Sequence, residues 1–545
     1  MKKNATILLG SLAVLLSLSP TQSSKAQTAD PIIANAKTAV VATDLGKVRG
    51  YIHNNTFTYK GIPYAQSERF MPPSKPKAWT DVRSSMTYGP VCPTDPTTSV
   101  FDVLEFAFNH NWGYTNENCQ TLNVWTPGIN DQKKRPVMVW LHGGGFAAGS
   151  AIELPSYDGE NLSKKGDVVV VSVNHRLNIL GFCDLSSFGE KYKKSANVGM
   201  MDIVVALEWV KANIANFGGD PNNVTIFGQS GGGAKVTTLM YAPSAKGLFH
   251  KAINQSGSYR TSFLEQEDSK RVGEALLEVL GLKPNQVDSL QKISYEKLNE
   301  AGKKAIQKVQ SQMKAEGKSF VGGGLGWGPV HDGDFLPYQQ VDPAGMALAK
   351  DIPLLIGSTK NEFMASLMNP AIREFSKEQA IDFLKKKYAD QTDNYLQAVE
   401  KAYPNTTKPS DLIDIDVNMF RPGTVKHANM KSNFGGAPVY AYMFTWQSPV
   451  MDGMYKSIHC IDLAFVFNNI ARCEEMTGGG KEAHLLADKM SQAWINFAKT
   501  GNPNHKGLPN WLPYSAEKGA TMIFDNQSVL KFHHDKELLS ITAGK

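Results

Sequence analysis

Apolar residues fall into short unbroken runs along the chain, each bounded by glycine, proline or polar segments. Pro136 to Leu141 (PVMVWL) and Asp167 to Val173 (DVVVVSV) have the character of strands covered on both faces. Val224 to Phe227 (VTIF) predicts a shorter strand, and Lys251 to Asn254, Pro353 to Ile356 and Val439 to Phe444 predict more. Between them the period changes. Val198 to Phe217 spaces its apolar residues as an amphipathic helix does and stops at Gly218-Gly219, and another helix is expected directly after Ser230. Strands alternating with helices predict an α/β fold with a mostly parallel central sheet and helices on both faces. Two charged, lysine-rich stretches of helical pattern, near 265–317 and 372–403, read as helical insertions around that core. No Pro/Ser-rich boundary isolates either, so residues 27–545 are expected to form a single domain.

The N-terminus has a different pattern. Lys2 and Lys3 precede an apolar run, Ile7 to Leu18, and Ser24-Lys25-Ala26 supplies small residues at the cleavage positions. Residues 1–26 are therefore expected to be a signal peptide, because the run is shorter than the roughly 20 residues that span a bilayer. The chain is expected to be secreted or periplasmic, with no membrane association after cleavage. Charge adds little. There are 57 basic and 51 acidic residues, a formal net charge of +6, and no Lys/Arg run suited to nucleic acid. The five cysteines, Cys92, Cys119, Cys183, Cys460 and Cys473, match no zinc ribbon or finger spacing.

The chemistry concentrates at two glycine-rich turns. Gly228-Gln229-Ser230-Gly231-Gly232 follows the strand at 224–227 and precedes a helix, the context of a nucleophile elbow. A sharp turn there lifts Ser230 above the sheet edge at a helix N-terminus, where free amides favour negative charge. His142-Gly143-Gly144-Gly145-Phe146 follows the strand at 136–141, as an oxyanion-hole loop does. The amides of Gly144, Gly145 and Gly231 are the expected oxyanion donors, and His142 is expected to be structural, since it precedes the serine. A carboxylate and a histidine should follow. The loop after Pro353 to Ile356 offers Glu362, and the histidines beyond it are His427, His459, His484, His505, His533 and His534.

With these motifs the chain resembles the type-B carboxylesterases. The likeness also rests on Gly61-Ile62-Pro63-Tyr64-Ala65, Glu117-Asn118-Cys119, Leu122 to Pro127, Asn174-His175-Arg176-Leu177, Asn213 to Pro221 and Asn254 to Ser258. The elbow departs from the pattern in carrying Gln229 and Gly231, where many relatives have Glu and Ala. The resemblance implies an α/β-hydrolase fold and serine-dependent hydrolysis of small-molecule carboxylic esters through an acyl-enzyme, with no metal or organic cofactor. It selects Glu362 and His459 to complete a triad with Ser230, and places Ser256 behind the acid. It implies an internal Arg176–Asp202 ion pair and a Cys92–Cys119 disulfide. Beyond the resemblance, a Cys460–Cys473 bridge is expected to brace the loop that carries His459, with Cys183 free and buried. Trp112 differs in spacing from the cation-binding tryptophan of cholinesterases, and that role is not transferred. Gly322 to Val330 is similar to the family's acyl loop, with Gly323 and Leu325 where acetyl-specific relatives carry bulky aromatics. That implies a roomier acyl site unless Trp327 fills it. Amide, carbamate or lactone hydrolysis by the same triad is the alternative chemistry. A non-catalytic, neuroligin-like interaction protein is the alternative class, and such proteins typically lack the nucleophile. The sequence leaves the oligomeric state open.

Overall fold

The computed structural model describes residues 31–95, 102–259, 262–318, 325–415 and 420–542, so the expected signal peptide lies outside the described residues. The strands of the main sheet are β1 (Tyr51–His53), β2 (Thr56–Pro63), β3 (Thr121–Thr126), β4 (Arg135–Leu141), β5 (Val169–Val173) and β6 (Gly219–Gln229). They continue with β7 (Lys251–Gln255), β8 (Leu354–Thr359), β9 (Val439–Phe444), β10 (Ala520–Phe524) and β11 (Val529–Phe532). Their spatial order is β11-β10-β9-β8-β7-β6-β4-β5-β3-β2-β1. Pairing is parallel from β5 through β10, and antiparallel strands close both edges.

Alternate residues of each central strand face opposite layers. Val137, Val139 and Leu141 of β4 join one apolar cluster with Ile226. Met138 and Trp140 join another with Phe227, Ile253 and Leu355. Both faces of the strand are buried, which is why its sequence is unbroken by polar residues. Helix α1 (Val198–Asn213) covers the first face, and a turn of 3-10 helix, Ile214–Phe217, carries it to Gly218. Helix α2 (Gly231–Met240) starts one residue after Ser230. The stretch near 265–317 holds α3 (Gln266–Val279) and α4 (Tyr295–Ala315), which pack on each other over their own apolar cluster. The stretch near 372–403 holds α5 (Lys377–Tyr388) and α6 (Thr392–Ala402), which share a further small cluster. No helix among the described residues is long and apolar enough to cross a membrane.

The parallel register aligns the carboxyl ends of the central strands. Leu141 pairs with Gly228, Gln229 with Gln255, and Gln255 with Gly357. The loops leaving β4, β6, β8 and β9 therefore open onto one crevice, the usual ligand position in an open α/β sheet.

The disulfide expectation does not hold. All five cysteines are free thiols. Cys92 and Cys119 are buried in the same cluster, so the two chain segments meet as expected but without a bond between the sulfurs. Burial pushes the Cys119 thiol up, which disfavours the thiolate that disulfide formation needs. Cys460 turns to the Gln229 side chain instead of Cys473, its Sγ donating to Oε1 at 3.2 Å. Arg176 and Asp202 form the buried ion pair that the resemblance implies, at 2.7 Å.

Candidate active site

Sharp backbone geometry sets the position of Ser230. It sits at φ 56°, ψ −124° between β6 and α2, a conformation that costs energy and persists only where neighbours enforce it. Close backbone approach explains the flanking glycines. A Cβ on Gly228 would strike the backbone of Gly232, and one on Gly232 would strike the Leu141 carbonyl. The Ser230 amide is tied to Gln255 O at 2.8 Å, which fixes the turn against β7.

The loop after β4 curls beside it. Gly144 and Gly145 take φ of +83° and +63°, which an L side chain rarely adopts, and the Gly144 carbonyl is capped by the amides of Ala147 and Ala148. Among the described residues, the amides of Gly144, Gly145 and Gly231 donate no hydrogen bond. Unused donors beside a serine are what an oxyanion site requires. Gly231 and Gly145 are in intimate contact: a Cβ on Gly231 would overlap the N, Cα and O of Gly145. His142 is buried and does not line the cavity. Its ring stacks on His175 at 5.2 Å, and burial together with the nearby Lys235 charge pulls both rings well below the usual imidazole range. Lys235, on α2, is fully buried and donates to His142 O at 2.9 Å, and burial lowers its ammonium to about 7.

Opposite the serine, Glu362 and His459 are joined through Oε2 and Nδ1. The other carboxylate oxygen accepts from Ser256 Oγ at 2.7 Å and from the Thr359 amide at 3.0 Å. The two loops are also laced by backbone: His459 N donates to Glu362 O at 3.0 Å, and Asn361 N to Ser457 O at 3.3 Å. The rings of Phe363 and Phe420 pack on His459 at 4.5 and 5.1 Å. With Nδ1 bonded to the carboxylate, Nε2 is left as the acceptor of the ring, and His459 and Ser230 line the same cavity. The Gln229 side-chain nitrogen lies against the ring, 3.2 Å from Nε2 and 3.4 Å from Nδ1, and Ser230 Oγ is unbonded among the described residues. His427 and His534 are buried away from the cavity, and burial lowers both rings to about 4.

Ser230, Glu362 and His459 line one cavity of about 320 Å³, with Gly143 and Gly144 at its wall. The rest of the lining is largely apolar, including Leu104, Phe108, Leu154, Met364, Leu367 and Met368. Sequence reasoning did not find these residues. Their positions carry no motif, although Met364 through Met368 follow the acid so closely that the loop after β8 was bound to bring them in. The acyl-loop expectation fares differently. Gly323 lies outside the described residues, and Leu325 and Trp327 do not line this cavity. The Trp327 ring packs against Gly302 of α4, where a Cβ would come within 2.9 Å of it, so it does not turn into the site.

Sequence and structure relatives share this architecture. The profile of the Carboxylesterase family matches residues 37–540. The chain is 36% identical over 507 residues to the para-nitrobenzyl esterase of Bacillus subtilis (strain 168), spanning 91% of this chain and 97% of that protein. It is 31% identical over 502 residues to the phenmedipham hydrolase of Pseudarthrobacter oxydans, spanning 90% and 95%. Among solved structures, an esterase from anaerobic Clostridium hathewayi that can hydrolyze aliphatic aromatic polyesters superposes with a TM-score of 0.82 at 36% identity. The match covers 94% of this chain and 99% of that one.

Proposed function

The chain belongs to the carboxylesterase family and is a carboxylic-ester hydrolase, and on that premise we propose that Ser230, Glu362 and His459 carry its chemistry. The observation that supports this reading is the convergence on one cavity of a strained serine, a carboxylate-bound histidine and a glycine loop with unused amides. Ser230 Oγ attacks the ester carbonyl while His459 Nε2 takes its proton. Glu362 holds the histidine in the tautomer that leaves Nε2 free and stabilises the imidazolium. The tetrahedral oxyanion sits on the amides of Gly144, Gly145 and Gly231. His459 returns the proton to the departing alcohol and then activates the water that releases the acid.

One local rearrangement precedes attack. The Nε2 lone pair closes onto the serine hydroxyl, a tightening on substrate binding of the kind common at resting sites. The apolar walls favour esters whose carbon arms bury hydrocarbon. The N-terminal pattern supports export, so the mature chain works outside the cytoplasm.

The decisive experiment is Ser230→Ala, assayed with short-chain p-nitrophenyl esters and with a serine-directed organophosphate. The folded variant should lose turnover, and the adduct mass should map to Ser230 in the wild-type protein alone. Near-wild-type turnover by the variant would sink the assignment. N-terminal sequencing of the natural product tests export: a start at Gln27 is expected, and an intact leader on fully localised protein would contradict it.

A further inference from the structure

The ammonium of Lys235 serves no purpose in the mechanism above, yet it lies in the interior directly behind the glycine loop. The residue is 0% exposed. Its Nζ makes one hydrogen bond among the described residues, to the carbonyl of His142, and lies 5.9 Å from the Phe146 ring centre. Among the described residues no carboxylate hydrogen-bonds it. Glu153, on the cavity wall, and Lys235 act on each other through their charges, and Lys235 in turn depresses the buried rings of His142 and His175. An apolar side chain of similar length would fill the same space without the cost of burying a charge.

The position of that one hydrogen bond suggests its use. His142 ends β4 and immediately precedes Gly143-Gly144-Gly145. Lys235 is in the second turn of α2, whose first residue is Gly231. The oxyanion donors therefore come from two separate elements, and the Lys235–His142 bond ties one to the other. We propose that Lys235 is a positioning residue that fixes the Gly144 and Gly145 amides relative to the Gly231 amide. It does not touch substrate. Its contribution arises as negative charge develops on the carbonyl oxygen, so it should appear in kcat and not in ground-state binding.

This inference rests on the oxyanion reading above, and the two fail separately. An active Ser230→Ala variant overturns the reading itself. An unaffected Lys235 variant overturns only the positioning role of the lysine. The primary variant is Lys235→Met, with Lys235→Gln as a second that keeps a donor without the charge. For Lys235→Met, kcat on a p-nitrophenyl ester should fall about 10–100-fold with KM within threefold. The affinity of a trifluoromethyl ketone, which forms an oxyanion on Ser230, should fall in parallel. The affinity of the matching non-fluorinated ketone should stay within threefold. Lys235→Gln should fall between wild type and Lys235→Met. A kcat and trifluoromethyl ketone affinity within twofold of wild type in either folded variant would overturn the proposal, whatever happens to Tm. Should neither variant fold, a crystal structure of the wild-type trifluoromethyl ketone adduct decides. The Lys235–His142 bond kept with all three amides on the oxyanion supports the role, and a broken bond with the amides still in place refutes it.

Discussion

On one side of the cavity, position is set by backbone; on the other, by side chains. The proposed oxyanion side consists of the glycine loop after β4 and the turn at Ser230, where positive φ values and close chain approach leave room only for glycine at Gly144, Gly228 and Gly232. The proposed acid–base side consists of three segments, after β7, β8 and β9, drawn together by Ser256, Thr359, Asn361, Glu362, Ser457 and His459, with hydrogen bonds between residues as far apart as 106 positions. The first arrangement is rigid and tolerates little substitution. The second is distributed, so loss of an outlying member should weaken the site without collapsing it.

Variants of each side sharpen that contrast. Glu362→Gln should have the largest effect. It keeps the shape but disturbs the tautomer of His459, and kcat should fall on the order of 10⁴-fold with the fold retained, measured by steady-state kinetics and circular dichroism. A loss of less than tenfold would move the acid elsewhere. Gly144→Ala should come next. Its Cβ meets the Ala148 carbonyl, and the loop must shift, so a loss of about 10²–10³ in kcat is expected together with a lower Tm. Tm unchanged with full activity would show that the loop is softer than its geometry indicates. Ser256→Ala removes one bond to Glu362 and leaves the Thr359 amide in place. A loss of only about 3–10-fold in kcat, near 1 kcal/mol, is expected. A loss as large as that of Glu362→Gln would erase the contrast between the two sides.

The smallest effect on activity is expected from a pair that belongs to neither side. Arg421 and Asp535 are buried together with Nε–Oδ2 at 2.7 Å. Burial opposes ionisation of Asp535, but the charge and hydrogen bonds of Arg421 outweigh it and hold the carboxyl at about 2. Because the folded value is depressed, this contribution to stability is present above about pH 4 and is lost as pH falls toward 2. Asp535→Asn should lower stability by about 3–5 kcal/mol at neutral pH, with kcat within twofold. The gap in Tm between variant and wild type should narrow on acidification below about pH 4. A gap that stays constant into acid would dissociate the pair from acid stability.

The same contrast explains how much the sequence disclosed. The oxyanion side was readable because steric demands at Ser230 and Gly144 appear as glycines at fixed spacing, and the flanking strands appear as unbroken apolar runs. The acid–base side was not readable that way. Glu362 and His459 sit in polar loops among other acids and histidines, and their selection rests on family resemblance. Gln229 was visible beside the nucleophile, but its contact with His459 depends on how the chain folds back across some 230 positions. The Cys92–Cys119 expectation was correct about proximity, which follows from the fold, and wrong about the bond. Lys235 gave no signal at all, since a lysine in a helix reads as solvated until packing shows it inside.

The fit between Gly231 and Gly145 has a consequence for the order in which this site could change. Alanine at 231 overlaps the backbone of 145 unless the loop has already moved, and a moved loop without that alanine leaves its donors out of place. The two positions are thus epistatic, and their effects should not add. Mutational routes from this glycine to the alanine that many relatives carry must run through a compensating change in the loop, and single-site libraries will record position 231 as closed when it is only locked.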